Sequence, residues 1–372
     1  MSNFKEKLKK LLSYADVKIN GNRPWDIQVH DDRFYKRVIV DGSLGLGESY
    51  MDGWWDCQKL DECIFRLCRA DLKSKLKNNW KLLIALAISK LFSRQGKMRA
   101  VKNSKVVYDD IGLDLYQKML DKYLQYTNGY WKNAKTIDEA QEAKLDLICR
   151  KIGLKPGMRV LDIGCGWGGF VHYAAKKYGA KAVGITLSRE HAKYSKELCK
   201  GLPVEIRFQD YRDINEKFDC IVSVEMIEHV GPKNHRKYME VAHRCLNDGG
   251  IFLLQTIGSN ASITRADPWT DKYIFPGCVV PSIHQIGRAI DGLFVMEDLH
   301  NFGTDYEKTL AAWWNNFDKN YDKLKSKYDE RFYRMWKFYL KGGAALVKSR
   351  TCQLWQIVLS KRGVLGGYTS IR

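Results

Sequence analysis

The stretch Val160 to Phe170, VLDIGCGWGGF, sets Gly164, Gly166 and Gly169 in a GxGxxG spacing behind an apolar run and ahead of a helical one. Glycines at a strand-to-helix bend let a ligand approach bare backbone N–H groups at a helix start, where peptide dipoles favour an anionic group. Alone, the spacing suits a dinucleotide, a phosphate or a ligand without phosphate. Two neighbours separate these. A nicotinamide site ends its second strand with an acid for the ribose, whereas here the second run ends VGITLS, with Thr186 and Leu187, and the nearest acid is Glu190. Asp162 also stands just ahead of the glycines, where its charge repels a pyrophosphate. A carboxylate there suits a cation. S-adenosylmethionine (SAM) offers an ammonium and a sulfonium to acidic and carbonyl groups, and its carboxylate can approach Gly164, Cys165 and Gly166, so SAM is the expected co-substrate.

In an open α/β sheet the reaction centre lies beyond the carboxyl ends of the strands. QDYRD (209–213) follows the third apolar run, EMIEHVGPKNH (225–235) the fourth and QTIGSN (255–260) the fifth. Asp210 and Tyr211 are placed to bind and cover an adenine. Glu228 and His229 are placed beside a transferred methyl, with His229 either bracing the SAM pocket or moving a proton. Glu225 is read as structural. No spacing of His, Cys, Asp and Glu suggests a metal.

The elements that must position these residues show in the periodicity. Short apolar runs at 159–163, 182–187, 204–209, 220–224 and 251–256 alternate with helical segments, as successive βα units do. The expected fold is an α/β, doubly wound parallel sheet of the Rossmann-like SAM-dependent methyltransferase type. TCQLWQIVLSKRG (351–363) reads as a closing strand, and the aromatic-rich stretch beyond Asp305 as helical insertions. Residues 1–105 read as a small, mostly helical N-terminal domain, with DGSLGLGESYMDGWWDC (41–57) as a tightly packed loop, and residues 106–372 as the catalytic domain.

The 372 residues carry 62 basic and 43 acidic side chains, a formal charge of +19 that seeks a nucleic acid or an anionic membrane surface. Charge alone is compatible with either. The stretch 71–101 has an apolar stripe flanked by cations, which suits a helix on its own core as well as one lying on a membrane. The longest apolar run, 82–88, is shorter than the ~20 residues a spanning helix needs. Ten scattered cysteines without a CxxC pair, and a start lacking an apolar signal core, give the expectation of reduced thiols in a cytoplasm.

Together with GSLGLGESYMDGWW, QYTNGYWKNA, LKPGMRVLDIGCGWGG, EHVGPKN, TIGS, DPWTDKYIFPG and HNFGTDY, these motifs make nearly the whole chain resemble the cyclopropane-fatty-acyl-phospholipid synthase family. The resemblance implies methylene transfer from SAM to a cis double bond of an unsaturated phospholipid. The resulting carbocation is then deprotonated by a bound bicarbonate. Carried over residue by residue, the bicarbonate ring comprises Glu228, Tyr306, Gln255 and the backbone N–H groups of Ile257 and Asn128. Tyr126 and Thr127 help enclose SAM, and the faces of Tyr126, Tyr130 or Trp131 stabilise the cation. The resemblance further implies peripheral contact with the cytoplasmic membrane, a possible homodimer and no nucleic-acid partner.

The chain departs from the family pattern at named positions. Gln255 replaces a histidine and so can hydrogen-bond an anion without carrying a proton. Asn128 replaces a cysteine, tolerable where only the backbone is used. YDDIGL (108–113) lacks the usual histidine and asparagine of its motif. His191 stands where a ribose-binding glutamine is common, and Gly343 where a cysteine once proposed as a nucleophile falls. Three rivals follow: a C-methyltransferase that makes methyl-branched acyl chains, a nucleic-acid methyltransferase, and a SAM- or lipid-binding relative with reduced turnover. The nucleic-acid enzyme needs a polar-Pro-aromatic motif after the fourth strand, and none is there.

Overall fold

In a computed structural model of the chain, residues 2–70 and 111–372 are described. The apolar runs become strands β1 (Arg159–Ile163), β2 (Lys181–Thr186), β3 (Val204–Phe208), β4 (Phe218–Val224) and β5 (Leu246–Ser259), followed by β6 (Val295–Asn301) and β7 (Cys352–Ser360). They form one seven-stranded sheet in the order β3-β2-β1-β4-β5-β7-β6. Pairings from β3 through β5 are parallel, and β6 runs antiparallel to β7.

Both faces of this sheet are covered, which is why its strands read as continuous apolar runs. Side chains alternate between two cores. Leu161, Ile221, Phe252 and Ile357 point into one, and Val160, Cys220, Leu253 and Val358 into the other. Each such side chain removed from water contributes roughly 1.5–3 kcal/mol. The helices start where their caps dictate. Thr136 closes a capping box with Glu139 ahead of α1 (Ile137–Lys151), and Ser188 accepts the His191 N–H ahead of α3 (Arg189–Leu198). Between them, α2 (Gly169–Tyr178) starts from Gly168 at φ +83°, a backbone that favours glycine. Helix α4 is Ile283–Ile290 and α5 is Asp305–Asn320.

The chain divides into two compact units. One holds 2–70, Ala266–Pro276 and Leu310–Cys352 of the described residues; the other holds 111–265, Gly277–Thr309 and Gln353–Arg372. A single boundary near residue 105 misses the two later segments. They belong to the first unit because Trp269 fills the space over Gly47, where a Cβ would lie 2.3 Å from the ring, and Arg334 Nη2–H donates to Trp55 O (2.9 Å) and Asp56 (2.8 Å).

Two local expectations change. The stretch 41–57 is not a loop throughout: Ser43–Met51 is a helix whose Gly45 and Gly47 permit close approach of Arg37 O and Trp269. Strand β6 was hidden because VMEDLHN is polar and half exposed, as befits an edge. The stretch 71–101, the run 82–88 and the motif residues Tyr108, Asp109 and Asp110 lie outside the described residues. Among the described residues no helix is long and apolar enough to cross a membrane, and no group of three or more His, Cys, Asp or Glu is suited to a metal.

Candidate active site

The glycine bend forms as its spacing demands. Gly164, Gly166 and Gly168 take φ of +91°, +50° and +83°, conformations disfavoured for residues with a Cβ. The N–H groups of Gly164 and Cys165 tie the bend to Ile185 O (3.0 and 2.9 Å). A Cβ on Gly166 would meet nothing within 4 Å, so that side is open to a ligand, whereas one on Gly164 would strike Met226 Cγ at 2.6 Å. The first turn of α2 carries no acid. Asp162 is buried, and burial pushes its carboxyl up to about 7 against the pull of Lys144. A bound cation would restore its charge. The cradle fits SAM: an open glycine turn and helix start for a carboxylate, and a buried acid for the cationic end.

Met226 follows Glu225, the residue on which the site centres. Strand β4 ends at Val224, and Glu225 turns out of it at φ +51°, sparsely populated for a non-glycine residue. Its N–H donates to Gln255 O on β5 (2.8 Å). Three donors then converge on its carboxylate. Asn128 N–H (2.9 Å) and Gln255 Nε2–H (2.8 Å) donate to Oε1, and Tyr306 O–H donates to Oε2 (3.0 Å). Gln356 Nε2–H holds Gln255 Oε1 (2.9 Å), which leaves the Gln255 amine facing Glu225. Asn128 is fixed in turn through Thr309, whose hydroxyl donates to Asn128 Oδ1 (2.9 Å) and accepts from Gly129 N–H (3.1 Å) and Trp131 Nε1–H (2.8 Å).

Glu228, on the one-turn helix Ile227–Val230, lies deeper, at 2% exposure against the partly open Glu225. Ile257 N–H (2.7 Å) and Thr256 O–H (2.9 Å) donate to its Oε1. Burial first and the charge of Glu225 second push Glu228 up to about 8, so it holds a proton at neutral pH. Glu225 is also raised by burial, with its donors and Lys144 opposing. Lys144 is wholly buried, donates to Gln125 Oε1 and Thr127 Oγ1 (2.7 Å each), and is pushed down to about 8 by burial while Glu225, Asp121 and Asp162 support its charge.

Residues 95–357 match the family of mycolic acid cyclopropane synthetases. This chain belongs to that family. It is 50% identical over 96% of its length to the cyclopropane-fatty-acyl-phospholipid synthase of Escherichia coli K12, of which it covers 93%. It is 34% identical over 68% of its length to sphingolipid C9-methyltransferase A of Emericella nidulans, of which it covers 52%. Among solved structures, the mycolic acid cyclopropane synthase CmaA1 complexed with SAH and CTAB superposes with a TM-score of 0.66 at 28% identity, over 72% of this chain and 99% of that one.

The bicarbonate expected from the resemblance can be tested against the donor set. Of the five groups assigned to it, Asn128 N–H, Gln255 and Tyr306 all bond the Glu225 carboxylate, and Ile257 N–H bonds Glu228. A further anion would meet occupied donors and two carboxyl groups. The residues of this family member do not fit a bicarbonate, because the donors that would hold one are bonded to the carboxyl groups of Glu225 and Glu228.

The structure thus brings Asn128, Gln255 and Tyr306 together on one carboxylate, Glu225, and leaves Glu228 with the N–H of Ile257. Glu225 was passed over; its signal was an acid at a strand end whose turn needs positive φ, paired with glutamine in place of histidine at 255. Of the expected SAM residues, Thr186 ends β2 with its Oγ1 accepting Ser188 N–H (3.2 Å), next to half-buried Leu187. His191 stands edge-on to Trp167 (4.2 Å), and burial pushes it down to about 3. Burial likewise pushes His229 down to about 4, so it is neutral and carries no standing proton charge. Asp210 is ion-paired with Arg212 (2.8 Å), and Tyr211 packs edge-on against Tyr238 (5.2 Å). Tyr126 and Thr127 are half-buried; Tyr126 packs edge-on against Tyr116 (5.2 Å). Tyr130 packs edge-on against His300 and Phe302, so its ring supports the fold.

Proposed function

We propose that this chain transfers a methylene from SAM to the cis double bond of an unsaturated phospholipid acyl chain, closing a cyclopropane. The single observation that carries this reading is the placement of a hydrogen-bonded, partly open carboxylate, Glu225, next to the open glycine turn at the carboxyl ends of β1, β4 and β5. When bound, SAM supplies an electrophilic methyl on a sulfonium. Asp162 would hold its cationic end, and the open Gly166 side of the turn with the start of α2 its carboxylate, since the N–H groups of Gly164 and Cys165 are already bonded to Ile185 O. Lys144 holds Thr127 and Gln125, the loop from which Asn128 reaches Glu225, and thereby orders one wall of the site. The 50% identity to a synthase named for this substrate supports the lipid assignment.

The charge of +19 supports action at an anionic bilayer surface on the cytoplasmic side, where each well-placed Lys or Arg contributes roughly 1 kcal/mol. Vesicle binding that weakens as salt rises is the expected behaviour; insensitivity to salt would oppose it. The family resemblance supports a homodimer, with sedimentation of the purified 43.1 kDa chain as one species of twice that mass as the check.

Incubation with SAM and dioleoyl-phospholipid vesicles, followed by mass spectrometry of the fatty acids, tests the activity. A gain of one CH2 with loss of the olefinic protons supports it. A methyl-branched chain, two hydrogens heavier when saturated, would instead place this chain with C-methylating relatives such as the sphingolipid enzyme. Intact lipid and unconsumed SAM would favour a relative that binds without turnover.

A further inference from the structure

We infer that the Glu225 carboxylate is the catalytic base for ring closure in this chain, taking the place of a bound bicarbonate. The inference rests on the methylene-transfer reading and names the proton acceptor within it.

The geometry supplies what such a base needs. A carboxylate offers about four lone-pair sites. Among the described residues, three are taken by Asn128 N–H, Gln255 Nε2–H and Tyr306 O–H, and Oε2 accepts only the last of these. One site on Oε2 therefore remains for a proton. All three donors are uncharged, so they orient the carboxylate without the deep loss of basicity that a contacting cation brings. Glu225 is partly exposed, and Met226, the next residue, lies against the glycine turn at Gly164. The backbone at φ +51° is strained for glutamate, and such strain persists where the surroundings over-determine it. The amide at 255 belongs to the same device. Locked by Gln356, it donates to Glu225 and cannot compete for the proton as an imidazole would.

The step balances. The alkene π pair forms a C–C bond to the transferred methyl as the methyl–sulfur bond breaks, its electrons staying on sulfur to leave a neutral thioether. The positive charge moves to the other alkene carbon. A C–H bond of the new methyl then breaks: its electron pair forms the second ring bond to the cationic carbon, and the proton goes to Glu225 Oε2. Glu225 becomes a neutral acid and returns the proton to water after product leaves. The sum is a thioether, a cyclopropane and one proton.

The full-length chain decides this in carbonate-stripped buffer, with SAM and vesicles of equal dioleoyl phosphatidylethanolamine and dioleoyl phosphatidylglycerol. Wild-type turnover should change by less than about twofold when sodium bicarbonate is added back, whereas Glu225→Gln should lose about 100-fold or more and Glu225→Gly, which relieves the positive φ, a similar amount. Bicarbonate should restore part of the Glu225→Gly turnover, because the vacated donors can then hold it, and none of the Glu225→Gln turnover, because the amide still fills the space. A second readout needs no turnover. The NMR line of 13C-bicarbonate should stay sharp with wild-type protein plus S-adenosylhomocysteine and broaden with Glu225→Gly. Wild-type turnover that collapses without bicarbonate, a 13C line broadened by wild type, or full activity in Glu225→Gln would overturn the inference. Absence of SAM consumption under every condition would sink the methylene-transfer reading instead, and the NMR result would still decide what occupies the ring.

Discussion

Two glutamates of this chain, buried Glu48 in the first unit and partly open Glu225 in the second, are treated in opposite ways. Glu48 is held by Arg37 (2.6 Å), Lys272 (2.5 Å) and Tyr273 (2.7 Å). Burial pushes its carboxyl up, but those partners outweigh the burial and hold it down at about 2. Glu225 is held by a backbone N–H, an amide and a phenol, with no contacting cation among the described residues, and burial leaves it raised. Cations lock a carboxylate as a structural anchor, while neutral donors fix its position and leave it basic.

The largest effects should separate these two roles. Glu225→Gln should lower kcat by about 10²–10⁴, equivalent to roughly 3–5 kcal/mol, with the melting temperature nearly unchanged. Glu48→Gln should do the reverse, costing about 1–3 kcal/mol of stability by chemical denaturation while kcat per folded molecule is kept. A Glu48 variant that abolishes turnover while fully folded would erase the contrast.

Next is the pH response. Turnover should fall as pH drops because Glu225 must be unprotonated, and the acid limb should lie above the ordinary glutamate range. Burial raises it first, opposed by the Asn128 N–H, the Gln255 amide, the charge of Lys144 and the Tyr306 hydroxyl. Stability responds differently at the two sites. Glu48, depressed when folded, contributes stability above 4.5 that is lost as pH falls toward about 2. Glu228, raised to about 8, holds a proton in the folded state that the unfolded chain releases above 4.5, so its contribution is lost as pH rises through 4.5 to 8. Glu228→Gln should therefore raise the melting temperature relative to wild type by about 2 °C or more above pH 8. Equal shifts at pH 4 and pH 9 would refute that assignment.

The smallest effect sharpens how the carboxylate is oriented. Tyr306→Phe removes one donor of three and should lower kcat about tenfold while moving the acid limb upward, since the hydrogen bond favours the charged form. An unchanged limb would mean that Tyr306 only packs.

Much of the second unit was legible because both faces of its sheet are buried. Strand β1 was read to its last residue and β4 to within two, since alternation there reflects two cores rather than one. The polar edge strand β6 carries no such signature, and the helix Ser43–Met51 contradicts its glycines, which serve close packing against Arg37 and Trp269 instead of a turn. The same limit applied at the site. EMIEH shows two carboxylates three residues apart, but which one meets the donors depends on a single backbone angle at Glu225.

The amino-acid sequence by itself determined the glycine turn, the strand-end positions of Asp162, Glu225 and Glu228, and the membership of the chain in its family, because periodicity, capping and backbone permissiveness are local properties; it ended the fifth strand too early, since Gln255 lies inside β5, which runs on to Ser259. Only the tertiary structure decided that Asn128, Gln255 and Tyr306, up to 178 positions apart in the chain, close on Glu225 and not on a separate anion. Hydrogen bonds depend on distances of about 3 Å between groups whose separation in sequence carries no information about their separation in space.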